Sequence, residues 1–236
     1  MAAQKRTSVL SLVFEMQWLH AAALLVLLGL CVWASRLEAF GDGALWGLGT
    51  RVWFWIAVGV AVAHQVYVWL VWRTELHAGL MSRALGGAAF TLYAAGFSVL
   101  GIARVAAVFA LAATNRGSVD VAPVVGQILG VVALVPALYL FYSVRRYFSF
   151  RRAFGIDHFD PAYRSLPFER RGIFRFTSNG MYVFGFMLLW APALWWASAA
   201  ALAAAGFNHL YIWVHYYATE RPDMRRIYGG GPTAGA

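Results

Sequence analysis

The chain has 236 residues, 61% of them hydrophobic and only 12% charged, with a formal net charge of +9. Soluble domains are nearer half apolar and a quarter charged, so this composition describes one compact integral membrane domain and excludes an ordinary soluble enzyme. A single cysteine, Cys31, excludes an intramolecular disulfide and a cysteine-rich metal site.

A membrane-crossing helix needs about 20 mostly apolar residues, because hydrocarbon cannot satisfy exposed backbone groups. Six stretches are predicted to be spans: 12–34, 46–72, 84–113, 122–144, 180–195 and 197–218. The first contains Glu15 and His20 and is too long and too polar for a signal-peptide core, so it is read as retained. The third is long and contains Arg104, which predicts either a strong tilt or an end near residue 103. The fifth is short, and the Pro192-Ala-Leu-Trp-Trp196 region after it reads as a tight hairpin.

The expected fold class is all-α, a multi-pass transmembrane helical bundle of about six spans with a C-terminal helical hairpin at the site. Its parts are a four-helix region (1–144), a basic and aromatic loop (145–171), a core (172–229) and a flexible tail (230–236).

Charge sets the orientation. With both termini cytoplasmic, 15 of the 19 Lys and Arg residues fall on that side, eight of them between Arg145 and Arg175. The positive-inside rule selects this arrangement, so the basic balance is assigned to loop asymmetry and to the lipid bilayer, with no nucleic-acid partner. One lysine against 18 arginines, with abundant Ala and Gly, points to a GC-rich bacterial source and an inner membrane. Oligomeric state is left open.

Ionisable groups inside spans mark functional sites or satisfied internal pairs. Here they are Glu15, His20, His64, Arg104, His209 and His215. Arg104 is expected to snorkel or to sit at the interface, and His64 with Gln65 to form an interhelical hydrogen bond. On the last helix, His209, Trp213, Tyr216 and Glu220 share one face, while Asn208, Tyr211, His215 and Thr219 form the neighbouring stripe. One of these sides must line a cavity or pack on polar partners, and the stripe carrying Glu220 is the cavity candidate.

The segment Gly172-Ile-Phe-Arg-Phe-Thr-Ser-Asn-Gly-Met-Tyr182 resembles the first signature of the isoprenylcysteine carboxyl methyltransferase and phosphatidylethanolamine N-methyltransferase superfamily, Gly-Pro-Tyr-Arg-x-x-Arg-His-Pro-x-Tyr-x-Gly. Gly172, Arg175 and Tyr182 match, and Asn179-Gly-Met-Tyr182 is similar to the Asn-Pro-Met-Tyr of the phospholipid enzymes. Glu220-Arg-Pro-Asp-Met-Arg-Arg-Ile-Tyr-Gly229 resembles the second signature, Glu-Glu-x-x-Leu-x-x-x-Phe-Gly, with Arg221 in place of the second Glu.

The resemblance implies a pocket for S-adenosylmethionine between these segments, open to the cytoplasm, and a membrane lipid substrate. Glu220 would bind the ammonium. Arg175 and amides near Asn179 would hold the carboxylate, and Met181, Tyr182 and Tyr216 would complete the cofactor site. An amine acceptor must be neutral to attack, so a base is needed; Asp157 and His158 near the headgroup, or Glu220, are the candidates. Arg221 is free to meet a lipid phosphate. The first reading is methylation of an amine-bearing phospholipid headgroup. A thiol or carboxyl methyltransferase of the isoprenylcysteine type is the alternative within the superfamily. Outside it stand a haem-binding electron-transfer protein, with His64 and His209 as ligands, and a lipid transporter.

Overall fold

The computed structural model describes residues 8–41 and 43–229; the expected tail at 230–236 and the basic pair Lys5 and Arg6 lie outside the described residues. Four helical stretches are long and apolar enough to cross a membrane: Val9–Ala34, Thr50–Ala78, Leu80–Thr114 and Pro123–Phe148. Gly180–Trp195 is apolar but only sixteen residues long, about 24 Å of helix against a hydrocarbon core of about 30 Å.

In chain order the helices are α1 (Val9–Val13), α2 (Gln17–Ala34), α3 (Thr50–Ala78), α4 (Leu80–Leu85), α5 (Ala89–Thr114), α6 (Pro123–Ser143) and α7 (Phe150–Ala153). They continue as α8 (Gly180–Gly185), α9 (Met187–Trp195), α10 (Ala199–His215) and α11 (Arg221–Ile227). Two strands of two residues each, β1 (Ala44–Leu45) and β2 (Leu48–Gly49), pair antiparallel ahead of α3. That hairpin is why the second helix starts at Thr50 and not at the expected residue 46.

The first span is broken: Met16 takes a left-handed conformation (φ 59°) between α1 and α2. Two π turns, Val144–Phe148 and Tyr216–Glu220, extend α6 and α10. The reversal of the C-terminal hairpin falls at 196–198, where Ala197 has φ 47° and Ser198 caps α10 by accepting from the Ala201 N–H (3.1 Å). It comes later than expected because α9 runs on through Pro192. Asn115, at the end of α5, ties the reversal down, its side-chain carbonyl accepting from the Ser198 hydroxyl (3.0 Å) and the Ala200 N–H (2.9 Å).

Helix α10 is the centre of the bundle, touching α2, α3, α5 and α9. Ala200, Ala201, Ala204 and Ala205 on it are fully buried. Small side chains let backbones approach where lipid supplies no hydrophobic drive for helix association. The outward face of α6 is the opposite case: Val124, Ile128, Val132 and Val135 are each more than half exposed, an apolar stripe suited to acyl chains.

The inward face of α6 packs on α9 through Gly126 and Gly130. A Cβ at Gly130 would stand 2.9 Å from both the Ala191 carbonyl oxygen and the Trp195 Cβ. Gly130→Val is therefore expected to destabilise the protein by about 1–3 kcal/mol, read as a lowered midpoint of thermal unfolding in detergent. An unchanged midpoint would mean that α6 and α9 can separate without loss.

Three expectations about polar residues are corrected. Arg104 neither snorkels nor lies at an interface. It is buried, donates from Nε to the Asn208 side-chain oxygen, and lies 4.9 Å above the Phe186 ring. A guanidinium inside a membrane bundle needs a fixed acceptor, and buried Asn208 of α10 supplies one. His64 makes no interhelical hydrogen bond: neither ring nitrogen has a partner among the described residues, and its ring meets Phe97 edge-on (4.6 Å). His64 and His209, weighed above as haem ligands, face different neighbours, since His209 accepts from the Trp190 indole N–H (3.1 Å) and stacks on Phe186.

Candidate functional site

The 172–182 segment is positioned from α6. Gly172 has φ 61°, and a Cβ there would come within 2.6 Å of the Ser143 hydroxyl oxygen. That hydroxyl accepts from the Ile173 N–H (3.0 Å), pinning the Gly172–Arg175 turn to the end of α6. Only glycine permits both the left-handed backbone and the close approach. From this anchor the chain enters α8, which carries Met181 and Tyr182 toward the C-terminal helix. The Tyr182 hydroxyl donates to the Glu220 carboxylate.

Arg175, Tyr182 and Glu220 line one cleft of about 530 Å³, in the size range of small-molecule sites. Its floor includes Met181, Thr177, Ser178 and Trp72, and Met224 and Tyr228 close it from α11 and beyond. The loop after α6 folds over it, contributing Arg152, Asp157, Phe168, Glu169 and Arg170. Arg175 is exposed and lies 4.7 Å over the Phe176 ring.

The other predicted site residues stand elsewhere. Tyr216 packs behind the cleft, its ring 5.6 Å from that of Tyr182. Asn179 caps α8, its carbonyl accepting from the Tyr182 and Val183 N–H groups (2.9 and 3.1 Å), and does not line the cleft. Arg221 lies over the Tyr217 ring (5.7 Å), also outside the cleft.

Asp157 and His158 belong to a buried charge network that locks the loop to the C-terminal helix. His158 stacks on Trp72 (4.2 Å), with Nδ1 3.1 Å from Asp157 and Nε2 3.7 Å from Asp223. Burial alone would depress this imidazole; the two carboxylates outweigh it and raise it to about 9. Burial pushes Asp157 the other way, yet it is held below the ordinary carboxylate range by His158 and by the Tyr228 hydroxyl, which donates to it at 2.8 Å. Asp223 in turn accepts from Arg73 Nε (2.9 Å).

A second cavity, of about 260 Å³, lies among the long apolar helices and is almost wholly apolar, lined by Val68, Phe97, Leu140, Phe186 and Leu189 among others. Its polar residues include His64, Gln65, Arg104 and His215. The two cavities share Trp72, Ala153, Met181, Tyr182 and Glu220 as a common wall.

Straight-helix arithmetic puts Glu220 on the face of His209. The π turn changes that. Arg221 N–H bonds back to the Tyr216 carbonyl, five residues earlier. Such a turn brings residues five apart onto one side, whereas an α-helix would set them about 140° apart. Glu220 thereby joins His215 in lining the inner cavity, while His209 lines neither. Sequence reasoning named Asp157 of the loop, which lines the cleft, but missed Trp72 and the loop residues Arg152, Phe168, Glu169 and Arg170. Trp72 reads as an interfacial anchor until α3 is placed against His158.

In the π turn after α10, the Glu220 carboxyl is pushed up to about 8, first by burial and then by the charges of Asp157 and Asp223, with His158 opposing. It faces the cavities with no basic side chain paired to it among the described residues.

No curated protein and no solved structure matches the chain. Residues 125–231, nearly half of the chain and most of the residues that line the outer cleft, match the phospholipid methyltransferase family model.

Proposed function

We propose that the protein is an S-adenosylmethionine-dependent enzyme that N-methylates an amine-bearing phospholipid headgroup at the cytoplasmic face of the membrane. The observation that carries this reading is the common wall of the two cavities at Met181, Tyr182 and Glu220. A cleft lined by charged side chains such as Arg152, Arg175 and Glu220 suits a charged nucleotide, and the apolar cavity beside it suits a lipid. Reactants held in the two would meet at that wall.

The residues of the outer cleft fit the cofactor's chemistry. The Glu220 carboxyl, with no basic side chain paired to it among the described residues, complements an ammonium, an exposed guanidinium (Arg175) complements a carboxylate, and Phe168, Phe174 and Tyr228 offer ring faces to a purine. The cofactor, when bound, supplies a methyl carbon already activated by a sulfonium. The protein's part is alignment and exclusion of water. Tyr182 does both, holding Glu220 through its hydroxyl while its ring closes the boundary between the cavities. His158, charged and shut between two carboxylates, holds the loop over the cleft and is a poor proton acceptor at neutral pH. The basic loop, worth about 1 kcal/mol per arginine near anionic lipid, would draw headgroups to the rim.

The test is incubation of detergent-purified protein with methyl-labelled cofactor and a total lipid extract, followed by lipid chromatography. Label is expected in phospholipids with a mono-, di- or trimethylated amine. Label confined to thiols or free carboxylates would replace this reading.

A further inference from the structure

Neither ring nitrogen of His215 has a hydrogen-bond partner among the described residues, although the residue is only 1% exposed. A buried imidazole left unmatched is unfavourable, and this one lines a cavity that could hold its partner. The groups around it are otherwise committed. His20 on α2 is held by Gln17 (2.9 Å) and the Tyr211 hydroxyl (2.8 Å). Arg73 on α3 is held by Asp223, and Arg104 on α5 by Asn208. His64 on α3 is also unpartnered. Of the two open imidazoles, His215 is the one that stands five residues from Glu220, brought to the same side by the π turn.

We propose that His215 is a catalytic residue that accepts the proton of the lipid ammonium in the apolar cavity, beside the wall it shares with the outer cleft at Glu220, an inference that rests on the amine-methylating reading above. A neutral imidazole has one acceptor nitrogen. The proton passes from the ammonium to that nitrogen, leaving the amine lone pair free. The N–C bond then forms as the S–C bond breaks. Positive charge moves from sulfur to nitrogen, and the imidazolium then gives up its proton to water. Each further methylation repeats the proton transfer.

His215→Asn, with His215→Gln as a second variant in case asparagine disturbs folding, is expected to bind the cofactor like the parent at equilibrium. Its turnover at pH 7 should fall by about 10²–10⁴-fold. The deficit should shrink as pH rises toward about 10, where a primary amine deprotonates unaided. Turnover within threefold of the parent with an unchanged pH profile would overturn the assignment, as would a parallel loss of cofactor binding, which marks a structural role. The parent enzyme in the same assay separates the two readings. Lipid labelling by the parent with a silent His215 substitution sinks only this inference; no lipid labelling by the parent sinks both.

Discussion

Replacing Arg73 with methionine is expected to destabilise the protein by about 3–5 kcal/mol, the scale for removing one partner of a buried ion pair. Arg73 is fully buried and joins three segments at once. Its Nε donates to Asp223 (2.9 Å), one terminal nitrogen to the Leu12 and Glu15 carbonyls (2.7 and 3.2 Å), and the other to the Ala218 and Thr219 carbonyls (3.2 and 3.1 Å). Those carbonyls belong to the two places where helices are broken, the kink between α1 and α2 and the π turn after α10. Hydrocarbon cannot solvate carbonyls freed by a break, and one guanidinium satisfies both sets.

For a chain of this length the loss corresponds to a fall of roughly 10 °C in the unfolding midpoint, readable by intrinsic tryptophan fluorescence in detergent. Adding Asp223→Leu should recover part of it, since no lone charge then remains buried. A double variant whose loss equals the sum of the singles would show that the two residues do not act together. The same network gives a pH signature. His158 is raised from 6.5 to about 9 in the folded protein, so its contribution is complete below 6.5 and disappears as pH climbs through 9. Asp157 is lowered, so its contribution holds at neutral pH and is lost as pH falls through its depressed value in acid.

Glu220→Gln should weaken cofactor binding by about 30- to 1000-fold, the scale for removing one member of a desolvated charge pair. Folding should be little affected, because glutamine still accepts from the Tyr182 hydroxyl. The effect carries a sign in pH. The carboxyl sits at about 8 without ligand, and an ammonium beside it would lower that value. Binding at pH 7 must then release close to one proton, and affinity should rise with pH, approaching tenfold per unit, until it levels above 8. Calorimetric titrations in buffers of different ionisation enthalpy measure this release directly. In Glu220→Gln the release should vanish and affinity should be flat over the same range. A variant that still releases a proton would move the titrating group elsewhere.

Composition and hydropathy were enough for the class of protein and for the four long helices among the six expected spans, because a bilayer demands long apolar runs and leaves a strong linear signal. The two signature segments and their likeness to membrane methyltransferases were equally visible, since backbone-specific residues such as Gly172 and charged residues such as Glu220 stand out in apolar surroundings. Helix breaks were not visible. Nothing in the spacing of His215, Tyr216 and Glu220 announces a π turn, because an extra residue in a turn is selected by what can satisfy the freed carbonyls, and here Arg73 and Gln17 do so from 145 and 201 residues away in the chain.

Arg104 and His64 illustrate the same limit. A charge inside a span signals only that some answer exists; whether the answer is snorkelling, a buried acceptor or a ligand depends on which helix lies opposite. The sequence by itself determined that this chain has the long apolar helices of a membrane protein, and it singled out two segments as the expected site. Only the tertiary structure decided that these segments share a wall with an apolar cavity, because the contacts that fold the loop over the cleft and rotate Glu220 toward His215 join residues far apart in the chain.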